Sequence, residues 1–573
     1  MPTALDPSQR RQLTWLFAIA LLVLGAGYGL RDPWPADEPR FVLVARQMLE
    51  SGEWWFPHRG QELYPDKPPL YFWILAAARS LIGSWRWSFL LPSLLSGLGV
   101  LWLVYDLGRR VWDHRAGLAG AVAVLCCLQF AYQFKRAQID PTLVLATTLS
   151  LYGLLRHLLR GPDWRWYWLG CAAAGAGVVL KGVGFLPLLL LLPAAAMRRA
   201  RWQGLAPIAP GQAGRWSLGA LAFLAPIAAW LGPVLVMALA GGDPEHRAYL
   251  DNLLFKQTAT RYADAWHHHK PAWYFPAVIA LFWLPFSLSF AWLWRDWRQA
   301  WRARDARVWL PLAWAGLVLL FFSASPGKRD MYILPALPAM ALAAAPFLPA
   351  LLERAGFRRA LWGLALALSA LLLVLGLVAL VAPPPAALAL IADRGLAPGA
   401  ATALWAMLVA VGAIGLLAAF VLRARRALAA IAVVLVALWC GYGFVAHPVL
   451  DASSSARGLM QRARAVAGPE VVIGLVRWKE QNLLQAVGPV AEFGFRRPAE
   501  EQMRLGAAWL AQDPERRRLL FSQPRAQPPC FRPEDLQRGS VLRVGSANRR
   551  DWFLVSRQGL AAGCFRDGLD TGD

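Results

Sequence analysis

Residues 360–381 read ALWGLALALSALLLVLGLVALV and contain no charged side chain. A helix of about 20 residues rises about 30 Å, the thickness of the hydrocarbon core of a bilayer. Similar apolar runs recur along most of the 573 residues, which are 57% hydrophobic and only 16% charged. A soluble chain has roughly 25% charged residues. These features exclude a soluble enzyme, a disordered chain and a coiled coil, and they predict a polytopic helical membrane protein.

The apolar runs predict about 13 transmembrane helices in an all-α membrane domain. The first run follows Arg10 and Arg11, and we interpret it as a span because no small-residue cleavage site leads from it into a soluble domain and further spans follow it. The predicted spans are Leu13–Leu30, Ser88–Leu107, Ala116–Phe134, Thr142–Leu159, Trp166–Leu180, Val183–Met197, Leu218–Ala240, Trp273–Trp294, Val308–Phe322, Met331–Leu351, Ala360–Val381, Ala401–Leu422 and Leu428–Val445.

The net charge of +24 comes largely from arginines in short loops between these spans. Such clusters mark the cytoplasmic side of a membrane protein, and they explain the charge better than nucleic-acid binding does. They alternate with charge-balanced loops at residues 31–87 and 241–272, which are therefore expected outside the cytoplasm. The clusters are Arg109/Arg110/Arg115, Arg156/Arg160, Arg198/Arg199/Arg201, Arg295/Arg298/Arg302/Arg304/Arg307, Arg354/Arg358/Arg359 and Arg423/Arg425/Arg426.

The composition changes after His447, where the chain becomes polar and rich in arginine with short apolar pieces. We predict a transmembrane domain over residues 1–447 and a small periplasmic α/β domain over residues 448–573. An odd number of spans places that second domain on the outer side. It holds Cys530 and Cys564, which either form a disulfide in an oxidising periplasm or stay as free thiols.

The longest predicted outer loop begins RDPWPADEPRFVLVARQMLESGEWWFPHRGQELYPDKPPLYFW, residues 31–73. Asp37 and Glu38 lie just outside the first span. Apolar and charged residues then alternate with helical spacing over 41–50, which predicts an amphipathic helix lying on the membrane interface. The aromatic residues at 54–56 are expected to anchor the loop at the headgroup level. Asp66 and Lys67 precede the return of the chain to the bilayer.

Further charged residues stand at the same predicted outer depth in separate loops. Ionisable groups beside apolar spans usually mark a site or a path for a polar group, although an ordinary solvated loop is the simpler alternative. Several cations and a few carboxylates on one face would suit a phosphate-bearing lipid. The groups are Lys135, Arg136 and Asp140; Arg261 and His267, His268 and His269; and Lys328, Arg329 and Asp330.

These residues resemble the motifs of the bacterial aminoarabinose transferase and protein O-mannosyltransferase superfamily, which consists of GT-C membrane glycosyltransferases. The resemblance covers about the first 350 residues, with its motifs in the family order, and is greatest to the branch that transfers 4-amino-4-deoxy-L-arabinose to lipid A. Asp66 stands where the family often has Glu. The motifs are Asp37-Glu38-x-Arg40, Asp66-Lys67-Pro68-Pro69-Leu70, Lys135-Arg136-x-x-x-Asp140, Arg261-Tyr262 with Pro271-x-Trp273-Tyr274, and Ser325-Pro326-x-Lys328-x-x-x-Tyr332-x-Leu334-Pro335.

The resemblance implies an undecaprenyl-phosphate sugar as donor and lipid A, or another surface acceptor, as acceptor. Catalysis would consist of stabilising the phosphate charge and positioning the nucleophile. Asp37, Glu38 and Asp140 are the candidate catalytic carboxylates, although Asp37 at the start of the predicted helix could equally be a helix cap. The candidate donor-phosphate residues are Arg40, Lys67, Arg261, Lys328 and Tyr332.

A divalent metal, Zn²⁺, is a possible cofactor, with Asp66, His268 and His269 as candidate ligands. Consecutive histidines cannot all bind one ion, and a merely polar loop is the alternative. Three other functions stay open. The same chemistry could act on protein Ser/Thr or another surface glycan; the chain could transport a lipid-linked sugar; or it could be a non-catalytic scaffold. Charges clustered at the outer ends argue against transport, which needs polar groups in the inner half of the membrane as well.

Overall fold

The computed structural model describes residues 5–254, 270–394, 396, 398–524, 540–547 and 550–560. Helices make up most of these residues, and the first part of the chain contains only one small hairpin, β1 His58–Arg59 with β2 Glu62–Leu63. The helices up to residue 251 are α1 Pro7–Gly25, α2 Glu38–Ser51, α3 Leu70–Ile82, α4 Trp85–Ser88, α5 Leu91–Val111, α6 His114–Cys126, α7 Leu128–Phe134, α8 Ile139–Arg160, α9 Trp164–Leu180, the 3₁₀ helix Gly182–Leu190, α10 Leu191–Arg199, α11 Ala213–Ala240 and α12 Pro244–Asp251.

The second helical series continues from residue 274 to the C-terminal region. Its members are α13 Tyr274–Phe282, the 3₁₀ helix Phe286–Ser289, α14 Phe290–Arg302, α15 Ala306–Ala324, the 3₁₀ helix Asp330–Ile333, α16 Ala336–Ala344, α17 Leu348–Glu353, α18 Ala355–Val381, α19 Pro385–Arg394, α20 Pro398–Leu422, the 3₁₀ helix Ala424–Arg426, α21 Ala427–Gly441, the π-helix Tyr442–Ala446 and α22 His447–Ser454.

Eight of the described helical segments are long and apolar enough to cross a membrane, or up to ten if each of two bent helix pairs is one span. The multi-pass helical architecture is therefore confirmed, whereas the predicted count of about 13 is not. Three predicted spans account for the difference. Helix α1 carries two arginines near its start, α9 has only 17 residues, and the run at 331–351 is divided among a 3₁₀ turn and the short helices α16 and α17.

Small residues allow the membrane helices to pack closely. A Cβ atom added to Gly153 of α8 would lie 2.2 Å from the carbonyl oxygen of Trp166 and 2.9 Å from the Cα of Gly170, both in α9. A Cβ on Gly108 of α5 would likewise lie 2.8 Å from the Cα of Gly117 in α6. Because lipid offers no hydrophobic drive to associate, close backbone contact through small residues is a main source of helix association in bilayers.

The outer loop forms α2, as predicted, but this helix is enclosed by protein. Its residues Phe41, Val44, Ala45 and Met48 pack on a cluster that includes Tyr71 and Phe72 of α3, while Val42 and Leu43 pack on the C-terminal residues. The expectation that its apolar face lies on the membrane was wrong, because both faces find protein partners. Phe56, one of the predicted anchors, is fully buried and stacks on His246 at 3.7 Å between ring centroids.

Residues 457–560, which we term the C-terminal α/β region, contain a five-stranded sheet of order β4-β3-β5-β7-β6. Strands β4, β3 and β5 are parallel, and β7 pairs antiparallel with both β5 and β6. Its elements are α23 Arg457–Ala467, β3 Val472–Val476, α24 Glu480–Leu484, β4 Val490–Glu492, α25 Ala499–Gln512, β5 Arg517–Pro524, β6 Val541–Ala547, β7 Arg550–Val555 and α26 Arg557–Leu560. The predicted disulfide residues Cys530 and Cys564 lie outside the described residues, and the domain boundary at 447 stays a prediction.

The C-terminal α/β region packs on the outer loop through an apolar cluster that α2 shares with α23, β3 and β7. Ion pairs reinforce this contact, since Glu480 of α24 accepts a hydrogen bond from Arg40 of α2 at 2.7 Å. The outer loop and the C-terminal α/β region therefore lie on the same side of the helical bundle. This packing carries side chains of residues more than 400 positions apart into one polar site.

Candidate active site

Asp37 lies at the start of α2 and is surrounded by cations from distant parts of the chain. Its Oδ2 accepts a hydrogen bond from Arg329 at 3.1 Å and one from the Gln138 amide at 3.3 Å, while Arg40 lies 3.7 Å from its Oδ1. The side chain of Asp37 keeps 14% of its surface exposed. Burial pushes its pKa upward, but the charges of Arg329 and Arg40 outweigh that effect and hold the pKa below its ordinary value. Asp37 is therefore ionised at neutral pH.

Glu38, the next residue, has a different environment. It forms an ion pair with Arg31, both side chains being nearly fully buried, and it also accepts hydrogen bonds from the backbone N–H groups of Trp34 at 2.8 Å and Ala137 at 2.9 Å. With its oxygens occupied in this way, Glu38 ties the outer loop to the segment before α8. This geometry favours a structural role for Glu38, and its catalytic role stays a prediction.

Asp140 forms a second polar cluster at the start of α8. Its Oδ1 accepts a hydrogen bond from Lys181 at 2.7 Å, and the Lys181 ammonium lies 4.6 Å from the centre of the Tyr332 ring. These three residues line a small cavity of about 10 Å³. Gln138, a partner of Asp37, lies two residues before Asp140. Arg329, the other partner, lies three residues before Tyr332. The same two segments therefore hold both clusters. The charge of Asp140 also acts on Arg329.

Arg40 connects Asp37 to the C-terminal α/β region. Its Nε donates to Glu480 Oε1 at 2.7 Å, and Arg59 lies 3.4 Å from the same oxygen. The fully buried phenol of Tyr64 lies within reach of both arginines and of Asp66. Burial raises the pKa of Tyr64, and Asp66 adds to the rise while the two arginines oppose it. The predicted donor-phosphate residue Arg40 is therefore held between a carboxylate of the site and one from the opposite end of the chain.

The two predicted lysines of the site both donate to backbone carbonyls. Lys67 is half-buried, and its Nζ donates to the carbonyl of Asp66 at 3.0 Å. Lys328 is buried at 4% exposure, and its Nζ donates to the carbonyls of Ser325 at 2.6 Å and Lys270 at 3.1 Å.

Comparisons with known proteins agree with this arrangement. A family model described as dolichyl-phosphate-mannose-protein mannosyltransferase matches residues 66–230. An undecaprenyl phosphate-alpha-4-amino-4-deoxy-L-arabinose arabinosyl transferase of Pseudomonas fluorescens is 31% identical over 342 residues, which are 57% of this chain and 58% of that protein. A transferase of the same description from Pseudomonas aeruginosa is 32% identical over 348 residues, covering 58% of this chain and 59% of that protein. The match therefore spans less than two thirds of the length of these curated relatives.

The fold is similar over almost the whole chain to that of a crystal structure. ArnT from Cupriavidus metallidurans bound to undecaprenyl phosphate superimposes with a TM-score of 0.67 at 21% identity, covering 95% of this chain and 97% of that one. The chain is therefore similar to aminoarabinose transferases in sequence over part of its length, and in fold over almost all of it. The resemblance inferred from the five motifs is thereby confirmed.

Three residues predicted for the candidate site, Arg261, His268 and His269, lie outside the described residues. The third proposed zinc ligand, Asp66, is one-third exposed and lies 3.4 Å from the guanidinium of Arg496. Among the described residues, no group of three or more His, Cys, Asp or Glu side chains could hold a metal ion. The described neighbours of Asp66 thus do not form a metal site, and zinc binding at these three residues stays a prediction.

Sequence reasoning did not select four residues that the structure brings to this polar site: Gln138, Lys181, Arg329 as a partner of Asp37, and Glu480. Lys181 had a signal, since it is the one lysine within the apolar residues 167–197, and an isolated charge in such a run usually marks function. Arg329 stood within a charged triplet from which only Lys328 was selected. Nothing in the local sequence pairs Glu480 with Arg40, because 440 residues separate them. Lys135, also noted as a charged outer residue, is buried and donates to the carbonyls of Val23 and Ala26 at the end of α1.

Proposed function

We propose that this protein is an integral-membrane glycosyltransferase that transfers a sugar, 4-amino-4-deoxy-L-arabinose, from undecaprenyl phosphate to lipid A. We place the reaction on the periplasmic side of the bacterial inner membrane. The observation that carries the proposal is the ionised carboxylate of Asp37, held by Arg329, Arg40 and Gln138 next to the Asp140–Lys181 pair. The names of the curated relatives and the shared fold support the choice of donor and sugar.

The reaction we propose is a direct displacement at the anomeric carbon. An acceptor oxygen forms a bond to the anomeric carbon while the bond between that carbon and the phosphate oxygen breaks. The electron pair of the broken bond leaves on undecaprenyl phosphate. The leaving group gains negative charge, so fixed cations beside it lower the barrier. We assign that role to Lys67, Lys328 and Tyr332, and to Arg261 outside the described residues, with Arg40 as a support. A lysine acts as a point charge, while an arginine can bind two phosphate oxygens at once.

The charge state of Asp37 bears on the acceptor. A general base works best when its pKa lies near the working pH, and the two arginines hold the pKa of Asp37 below even its ordinary value. Such a carboxylate is a weak base for an alcohol but a good partner for a cation. We therefore propose that the acceptor oxygen belongs to a phosphate, which is already anionic. Asp37 then orients the reactants, for example through the amine of an amino sugar, and Asp140 assists it.

The test is the lipid A mass spectrum of cells that make the undecaprenyl-phosphate donor, with and without this protein. We expect the protein to add the mass of one pentosamine or more to lipid A. Asp37→Asn should abolish the addition at normal expression. Glu50→Gln is the matched control, since Glu50 lies on the same helix and is 57% exposed in its pair with Arg46. Unmodified lipid A with the wild-type protein and the donor both present would reject the proposed acceptor.

A second acceptor class has a specific observation in its favour. The family model that matches residues 66–230 is described as a mannosyltransferase acting on protein. If lipid A stays unmodified, the envelope proteins from the same cells should be examined for a new sugar on Ser or Thr. In that case Asp37 would have to accept a proton from the hydroxyl group. Protonation of Asp37 at low pH should lower the rate for either acceptor, so the position of the new sugar, on lipid A or on Ser or Thr, distinguishes the two classes.

A further inference from the structure

A cleft of about 850 Å³ opens between the outer loop and the C-terminal α/β region. Its walls come from the β1–β2 hairpin, helix α12, the end of β4 and one face of α25. Helix α12 begins four residues after the end of α11, a 28-residue candidate span. The cleft therefore lies close to the membrane surface, where the headgroup of a lipid would meet the protein.

Three carboxylates line the cleft: Glu245 lies in the first turn of α12, and the other two hold the walls of the cleft together. Glu492 accepts hydrogen bonds from the backbone N–H groups of Gln61 at 2.7 Å and Gly494 at 2.6 Å. Glu62 accepts from the backbone N–H of Arg496 at 3.1 Å. By contrast, the side chains of Arg496 and Arg497 are 44% and 48% exposed, and their ion pairs are of the solvent-exposed kind that contributes little. These two arginines are therefore the groups of the cleft that can bind a phosphate.

Aromatic and amide side chains complete the lining. The lining includes the aromatic rings of Tyr249, Phe493 and Trp509 and the amides of Asn252 and Gln512. Aromatic rings provide rigid apolar surfaces for the C–H face of a sugar, and amides and guanidinium groups form planar hydrogen bonds to hydroxyl and phosphate oxygens. A pocket with aromatic walls and a few directed polar groups is typical of a small-molecule site. The volume and this chemistry suit a phosphorylated saccharide.

The cleft adjoins the loop that carries the proposed donor-phosphate residue Lys67. Pro65 lines the cleft, and the next two residues are Asp66 and Lys67. Arg496 lines the cleft too, and its Nη2 lies 3.4 Å from Asp66 Oδ1. A headgroup held by Arg496 would therefore be placed beside the loop that we assign to the donor phosphate. We infer that this cleft binds the phosphorylated sugar headgroup of the acceptor lipid, an inference that rests on the proposed function.

The inference can be tested by filling the cleft from opposite walls. Ala508 of α25 and Ala248 of α12 are exposed cleft residues, so Ala508→Trp and Ala248→Trp add volume without removing a contact. Ala511→Trp is the control, because Ala511 is exposed on the same helix as Ala508 but does not line the cleft. The measurement is the initial rate of transfer from the undecaprenyl-phosphate donor to purified lipid A in detergent, as a function of each substrate. Thermal unfolding of each variant verifies folding.

Each filling variant should raise the KM for lipid A by about tenfold or more, as expected when a packed binding contact is lost. The KM for the donor should change by less than about twofold, and Ala511→Trp should match the wild type. An unchanged KM for lipid A in both filling variants, with the wild type active, would overturn the inference that the cleft binds lipid A. It would leave the proposed function intact. Equal rises in the KM of both substrates would also overturn it. A wild type that binds undecaprenyl phosphate but transfers nothing to lipid A would instead reject the proposed function and, with it, this acceptor.

Discussion

Two carboxylates of this protein are each surrounded by arginines, yet their environments differ. Asp106, in the candidate span that ends at Val111, pairs with Arg109 and Arg110 on the next turn of its own helix and accepts a hydrogen bond from Tyr152. Asp37 draws its partners from elsewhere, since Arg329 is 292 residues away and Gln138 is 101 residues away. Asp106 is 4% exposed and Asp37 is 14% exposed.

The difference shows that clustered charge alone does not mark a functional site in a membrane protein. The Asp106 cluster neutralises charge on one helix and holds two helices together, which is a structural task. The Asp37 cluster assembles only when three separate segments meet, and it retains surface that a substrate can reach. A carboxylate with distant cationic partners and residual exposure is the better candidate for catalysis. The predictions below test this distinction.

The largest effect is expected from Asp37→Asn. We expect transfer to fall by about a thousandfold, because the variant removes the charge that orients the reactants. Asp106→Asn should lower thermal stability instead and leave the rate per folded molecule within about threefold of the wild type. Initial rates with purified donor and lipid A, normalised to the monodisperse fraction, measure both. Comparable rate losses per folded molecule in the two variants would show that the Asp37 and Asp106 clusters do not differ in their contribution to the reaction.

The second prediction separates Asp37 from its neighbour. Glu38→Ala leaves Arg31 buried without its partner, which costs about 3–5 kcal/mol in the free energy of unfolding. We expect low yield and a large drop in Tm, whereas Glu50→Ala at the exposed end of the same helix should cost less than about 0.5 kcal/mol. Thermal unfolding in detergent provides the measurement. A stable Glu38→Ala protein without activity would contradict the structural role and restore the catalytic one.

How much of this site the sequence predicted depends on how far apart in the sequence the contacting residues are. Apolar runs are local patterns, so the helical membrane fold, helix α2 and most spans could be read directly. The resemblance brought Asp37, Asp66 and Asp140 into consideration, because it supplied long-range order that composition lacks. It could not separate Asp37 from Glu38, adjacent residues whose roles are decided by Arg31 and Arg329. The count of spans is not confirmed where arginines or breaks interrupt a run, because hydropathy does not show where a helix bends.

The third prediction concerns the contact between the site and the C-terminal α/β region. Glu480→Gln weakens the hold on Arg40, so we expect kcat to fall by about three- to tenfold with little change in Tm. Arg46→Gln is the matched control, because Arg46 joins the same two regions through the carbonyl of Leu484 and not through Arg40. Steady-state kinetics and thermal unfolding of both variants should be compared. Equal losses of kcat in the two variants would assign Glu480 to docking rather than to the position of Arg40.

The smallest effect concerns a third carboxylate, Asp32, whose surroundings differ from those of Asp37. Its side chain is 2% exposed, and although Arg457 lies 2.6 Å from its Oδ1, its backbone N–H donates to the carboxylate of Asp451. Burial, and then the negative charge of Asp451, raises the pKa of Asp32 from 3.8 to about 6. Because the folded-state pKa is raised, the stabilisation is fully present below pH 3.8 and is lost as the pH rises through about 6.

Asp32→Asn removes this titration, so it isolates the contribution of Asp32 from that of other groups. Between pH 5 and pH 7.5 the Tm of the wild type should fall by about 1–3 °C more than that of Asp32→Asn. Asp251→Asn, an exposed carboxylate of the outer side, should keep the wild-type slope. Equal slopes for the wild type and Asp32→Asn would mean that Arg457 compensates Asp32 as completely as Arg329 and Arg40 compensate Asp37. The contrast would then lie in exposure and in the origin of the partners, and no longer in the charge state of the carboxylate.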